Sequence, residues 1–119
     1  MPTKVNIPPE AQKDIKHLKR KYPAVTGEVR KLVQQLENDE RPGDKVPGVG
    51  YEVYKTRLPN PSAQRGKSGG FRVMYYVQMK DSVFLLRVYS KTEQSDISPE
   101  RIRQVLENIL PPDTEDKSP

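Results

Sequence analysis

The 119-residue chain has no cysteine, no tryptophan, two phenylalanines and a single histidine, His17. Each absence closes a class of function. Without cysteine there are no disulfides, thiolate zinc sites, iron–sulfur clusters or thiol nucleophiles. One histidine leaves no multi-histidine metal site and would rest any Ser-His-Asp triad entirely on His17. Long apolar runs are missing too: the stretch 83–86 is four residues, against the roughly 18 of a membrane span. Residues 1–10 hold neither the apolar core nor the cleavage pattern of a secretory signal. The expectation is a cytoplasmic protein that makes no membrane contact.

Acidic groups are scarce where basic ones are dense. The net charge is +5 and the isoelectric point about 9.5, but the charge is unevenly spread. Residues 55–91 carry eight Lys and Arg against Asp81 alone, a local +7. The preceding 54 residues sum to +2, and residues 92–119 to −4. A mid-chain block of this kind points to a polyanionic partner, with a solvated basic surface as the plainer reading. Leu, Ile, Val and Phe total 27 residues, and mean hydropathy is −0.87. That composition suits one thin-cored domain, expected over 1–110, followed by a disordered acidic tail at 111–119.

Periodicity orders the chain β-α-α-β-β-β-α. A short extended segment at 4–7 meets Pro8-Pro9, which suits a helix first turn, with Glu10 near the positive end of the helix dipole. Ala11, Ile15, Leu18 and Tyr22 recur at helical spacing until Pro23, and Val25, Val29, Leu32, Val33 and Leu36 repeat the pattern. So tight a junction makes an antiparallel helical hairpin. Past the Pro/Gly-rich stretch 41–50 the period becomes two. Residues 53–58 put Val53, Lys55 and Arg57 on one face; 71–79 put Phe71, Val73, Tyr75, Val77 and Met79 on an apolar face opposite Arg72, Met74 and Tyr76. A turn at 80–82 leads to a hairpin partner at 83–90. Ser98-Pro99-Glu100 opens a last helix, striped by Ile102, Val105, Leu106 and Ile109. The fold class is α+β: a small, mainly antiparallel sheet covered on one face by the N-terminal hairpin, with a C-terminal helix. The opposite sheet face, with Lys55, Arg57 and Arg72, is expected to stay polar and basic.

Few motifs survive inspection. Arg65-Gly66-Lys67-Ser68 imitates the end of a phosphate-binding loop, but Pro61 stands where the first glycine belongs and a strand follows instead of a helix. His17 lies among Lys16, Lys19 and Arg20 on a polar helix flank, where a solvated histidine is the ordinary reading. Asp39-Glu40 and Glu115-Asp116 are poorly placed for the clustered carboxylates of two-metal chemistry. What remains is cations on a sheet. Lys55 and Arg57 share a face, Arg72 joins them if the two strands pair, and Arg65, Lys67 and Lys91 flank the cluster. Crowded like charges favour the neutral form of a lysine, which then serves as a base toward a 2′-hydroxyl while arginine holds the phosphate charge. Such chemistry calls for no metal and no small-molecule cofactor. A nucleic-acid-binding face without chemistry fits the same residues.

Three segments carry a resemblance. Tyr54-Lys55-Thr56-Arg57-Leu58, then Gly66-Lys67-Ser68-Gly69-Gly70-Phe71-Arg72-Val73-Met74-Tyr75-Tyr76, then Tyr89-Ser90-Lys91-Thr92-Glu93 resemble the RelE/ParE superfamily of bacterial toxins. The glycine-rich loop is most similar to the HigB-like branch of RelE, and the likeness spans about residues 3–110. It implies an mRNA interferase, the toxin of a type II toxin–antitoxin pair. Such toxins cleave message in the ribosomal A site by 2′-hydroxyl attack, contact ribosomal RNA and are held inactive by a cognate antitoxin. Carried onto this chain, it implies catalytic Lys55, Lys67 and Arg72, with Arg57, Arg65, Lys91 and Tyr89 contacting RNA or phosphate. Two positions depart from the best-known members: Thr92 replaces an arginine and Ser98 a late tyrosine acid/base. Lys67, Arg65 or Tyr89 are the substitutes that the HigB-like loop suggests. A ParE-like gyrase inhibitor shares the fold but lacks the basic set, and a non-catalytic member that binds RNA or antitoxin also fits the departures.

Overall fold

The computed structural model describes residues 3–59, 70–79, 81–90 and 97–109. A short β1 (Lys4–Asn6) leads into the hairpin of α1 (Pro9–Lys21) and α2 (Val25–Glu37). Then come β2 (Asp44–Lys45), β3 (Val53–Leu58), β4 (Phe71–Met79), β5 (Ser82–Ser90) and α3 (Pro99–Ile109). The five strands form one sheet in the order β1-β5-β4-β3-β2. β1 pairs parallel with β5, and every other pair is antiparallel. The architecture is the α+β arrangement read from the sequence, with one addition. The two-residue β2, on the far side of β3, sits in the segment read as an irregular Pro/Gly stretch.

Local chemistry sets the helix limits. Pro9 opens α1, where its missing N–H costs nothing, and Glu10 lies in the first turn with Lys19, Arg20 and Lys21 in the last. The Ser98 hydroxyl accepts the Arg101 N–H at 3.2 Å and caps α3. Gly43 adopts φ +92°, and a Cβ there would lie 2.3 Å from the Lys55 carbonyl oxygen, so only glycine lets β2 approach β3.

Each face of the sheet buries its own core. The hairpin packs Ala11, Leu18, Val25, Val29, Leu32 and Leu36 against Leu58, Phe71, Val73, Tyr75, Val77, Val83, Leu85 and Val88. The Tyr75 hydroxyl donates to the Pro42 carbonyl at 2.6 Å, which satisfies the one polar atom of that ring. On the other face α3 seats Ile102, Val105 and Leu106 on Val49, Val53, Met74, Tyr76, Leu86 and Tyr89. Arg103 fastens α3 to the loop before β3, Nε donating to the Val49 carbonyl at 3.0 Å and Nη2 to that of Gly48 at 2.8 Å.

That second core corrects the expectation of a wholly polar opposite face. Met74 and Tyr76, expected beside Arg72 on open sheet, are buried under α3. The physical reason is the apolar stripe of α3, which needs a partner and finds it in these residues. Among the described residues, only the end of the sheet that bears Lys55, Arg57 and Arg72 is left uncovered by α3.

One irregularity decides what joins that end. Tyr75 pairs with Leu85 but Met74 pairs with Arg87, so Leu86 is an extra residue in β5. Strict alternation would group Tyr89 with Val83 and Leu85 under the hairpin. The bulge shifts the phase: Val88 joins the hairpin core and Tyr89 turns to the α3 side.

Candidate functional site

The uncovered end of the sheet forms an open depression of about 400 Å³, lined by Gly43, Asp44, Lys55, Thr56, Arg57 and Arg72. Lys55 and Arg57, two apart on β3, project to the same face. Arg57 pairs with Arg72 on β4, and Arg72 with Tyr89 on β5, so the three form one row across the sheet. Directly opposed arginines repel, a cost that is tolerated only where something else, such as an anion, is served.

Arg72 is the distinctive member. It is 7% exposed, and its buried Nη1 has no hydrogen-bond partner among the described residues. Leaving a buried donor unsatisfied costs on the order of 1–3 kcal/mol, more for a charged group. Gly70 makes room for this guanidinium: a Cβ there would sit 3.3 Å from Arg72 Nη1, 3.3 Å from Arg57 Cγ and 3.0 Å from the Leu58 carbonyl oxygen. The glycine before the aromatic-arginine pair is therefore a matter of space.

The other expected residues fare differently. Tyr89 shares the row but is 4% exposed and packed in the α3-side core, so it offers RNA little ring surface. Arg65, Lys67 and Lys91 lie outside the described residues, as does Thr92. Ser98 is occupied as the cap of α3. His17 is exposed on α1, the helix that packs on the opposite side of the sheet. Arg87, counted in the basic block, is withdrawn from the face: Nε donates to Asp14 Oδ2 at 2.7 Å and Nη2 to Oδ1 at 3.2 Å. Asp14 Oδ2 also accepts the Val88 N–H at 2.9 Å. The hydrogen bond to Asp14 holds the Arg87 guanidinium above its ordinary pKa.

Sequence reasoning missed Asp44. It pairs in register with Lys55 and adds an acidic residue to a lining whose other charged members are Lys55, Arg57 and Arg72. Eleven positions separate the two residues in the chain, and a two-residue strand leaves no periodic signal. No three His, Asp or Glu side chains are grouped as a metal site would need among the described residues. What the depression offers chemically is one buried guanidinium, that of Arg72, beside the more accessible Lys55 and Arg57, a set suited to an anion with several acceptor oxygens.

Comparison with solved structures agrees on the fold. The chain is similar to the free state of the E. coli toxin RelE, solved as a double arginine-to-alanine mutant, with a TM-score of 0.57 and 22% identity over 92% of this chain and all of that one. The fold is thus that of a RelE-like toxin. The family model for the RelE toxin of the RelE/RelB toxin–antitoxin system matches residues 11–109. The chain belongs to the RelE toxin family, and is the toxin component of a toxin–antitoxin system whose partner is an antitoxin.

Proposed function

We propose that this toxin is a ribosome-dependent endoribonuclease that cleaves messenger RNA without a metal. The observation that carries the reading is Arg72: a nine-tenths buried side chain whose Nη1 has no partner among the described residues, on the sheet end that also bears Lys55 and Arg57. A phosphodiester is an anion that such a group can receive. In this reading the 2′-oxygen attacks the neighbouring phosphorus and the 5′-oxygen departs. Arg72 binds the charge growing on the phosphoryl oxygens, Lys55 and Lys67 serve as base and acid, and Arg57, Arg65 and Lys91 position the backbone. Tyr89, buried beside Arg72, holds the row. The toxin domain spans 1–110 and works in the cytoplasm, where its substrate is translated.

A second basic surface supports dependence on the ribosome. Lys13, Lys16, Lys19 and Arg20 are exposed on α1, while the nearby acid Asp14 is taken up by Arg87. That helix packs on the sheet face opposite the depression, which suits contact with ribosomal RNA while message occupies the other side.

The test is induced expression with primer extension on a reporter message. Wild type is expected to produce discrete new 5′ ends, and Arg72→Ala to reduce them by about 100- to 1000-fold, the cost of one oxyanion-stabilising donor. Intact transcripts, with toxicity unchanged by Arg72→Ala, refute the reading. Shifted plasmid topoisomers over intact messages would replace it with gyrase inhibition.

A further inference from the structure

A second hollow shares one lining residue, Arg57, with the depression. This groove, of about 460 Å³, lies between α2 and the end of β3. β2 pairs with β3 only at Tyr54 and Lys55, so past Lys55 no described strand closes that side of the sheet. Arg57 is the residue common to this edge and the depression.

The groove differs chemically from the depression. Its α2 wall presents Lys31, Gln34, Gln35 and Asn38, which the 3.6-residue turn brings to one side of the helix. All four are exposed. The three amide side chains make no hydrogen bond to any described residue. Lys31 already answers the one carboxylate of the groove, that of Glu28 at 3.5 Å. The exposed Pro59, beside the edge of the buried Leu58, supplies an apolar surface opposite. A site for phosphate alone would be lined with cations. Cations at the rim, amides along a wall and an apolar floor fit a nucleotide: phosphate at the rim, base inside. An amide carries a donor and an acceptor side by side, the pattern that reads a base edge. The volume lies within the range of small-ligand pockets.

We propose that this groove binds the base of a nucleotide adjoining the scissile phosphate, and that Gln34, Gln35 and Asn38 set the sequence preference of cleavage. The inference rests on the RNA-cleaving reading above. Arg57 joins the two sites, so the base that is read is fixed at a constant offset from the bond that is cut.

The experiment maps 5′ ends of cellular messages after brief expression of wild type, the Gln35→Ala/Asn38→Ala double variant and the single variant Gln35→Glu. Wild type is expected to show a nucleotide preference at one position beside the cut. The double variant should flatten that preference by about fivefold or more, the discrimination of one bidentate amide–base pair. It should lose less than that in total cutting. Gln35→Glu, which exchanges a donor for a second acceptor, should instead shift the preference toward bases presenting an amino group. Melting temperatures of the purified proteins confirm folding, and the two variants fail independently. An unchanged preference in both folded variants overturns the proposal while cleavage by wild type leaves the nuclease reading standing. Unchanged maps together with lost neutralisation by the antitoxin overturn it too, and give the groove to a protein partner. No cleavage by wild type removes both readings.

Discussion

Arg72 and Arg87 belong to the same basic block and the same antiparallel pair of strands, yet the structure gives them opposite tasks, and Arg87→Met separates them. Methionine keeps most of the aliphatic volume and removes the charge. Asp14 then loses both guanidinium bonds and keeps only the Val88 N–H. Removing one partner of a fully buried pair costs about 3–5 kcal/mol. Here each side chain is 16% exposed, so solvent recovers part of the loss and about 2–3 kcal/mol is expected. For a domain of this size that lowers the melting temperature by roughly 8–12 °C. Adding Asp14→Asn, whose amide oxygen still accepts from Val88, should recover about half by removing the orphaned charge. Circular dichroism melts supply the assay, with mRNA cleavage normalised to folded protein alongside. The normalised cleavage of Arg87→Met should stay within about twofold of wild type, a change worth under 0.5 kcal/mol. A melting temperature within about 2 °C of wild type, accompanied by a tenfold loss of normalised cleavage, would refute the argument and return Arg87 to the RNA surface.

Two further outcomes follow from the packing. Gly70→Ala should reduce cleavage more than it reduces stability, because its Cβ meets Arg72 Nη1 and Arg57 Cγ at 3.3 Å while the lost glycine entropy offsets about 0.4–1 kcal/mol of the crowding; Gly70→Val should be worse on both counts, and cleavage unaffected by either, in melted-and-checked protein, would contradict the spatial account of that glycine. Burial raises the Tyr75 phenol well above its ordinary pKa of 10.0, so the fold favours the protonated form: the stability it contributes is complete below pH 10 and is lost as pH rises above that value. Tyr54 and Tyr76 shift in the same direction, also chiefly through burial. Denaturant melts of Tyr75→Phe should show about 1 kcal/mol less stability at neutral pH, from the lost bond to Pro42, and a shallower decline above pH 10 than wild type; equal declines would contradict it.

The elements were legible because each has a local cause: prolines at helix boundaries, Ser98 ahead of Pro99, and a period of two that begins at Val53. Pairing of β3 with β4 followed from their apolar faces, and it places Lys55, Arg57 and Arg72 on one side, as the alternation of those strands requires. What escaped the sequence depends on contacts between distant residues. The stripe of α3 was visible, but not that it would settle over Met74 and Tyr76 and leave Arg72 at the margin of the covered area. Asp44 reaches Lys55 only because Gly43 permits a close backbone approach.

The bulge at Leu86 shows why the site could not be read from alternation alone. One extra residue in β5 exchanges the faces of Val88 and Tyr89. Arg87 keeps the hairpin side, where plain alternation with Val83 and Leu85 puts it, and closes on Asp14 of α1. The irregularity thus moves a tyrosine into line with Arg57 and Arg72, while alternation itself keeps Arg87 out of the cluster. Counting charges along the chain overstates the cationic face, since Arg87 contributes to the fold. Counting faces by parity misplaces Tyr89. The smaller set that remains has a consequence of its own. With Arg87 withdrawn and Tyr89 buried, the proposed anion binding at the described end of the sheet would rest on Lys55, Arg57 and Arg72, and of these only Arg72 is fixed by burial. A donor already held in place contributes most where charge develops in a transition state, because no reorganisation is needed at that moment. That difference in placement is the reason to expect loss of Arg72 to suppress cleavage far more than loss of the exposed Arg57.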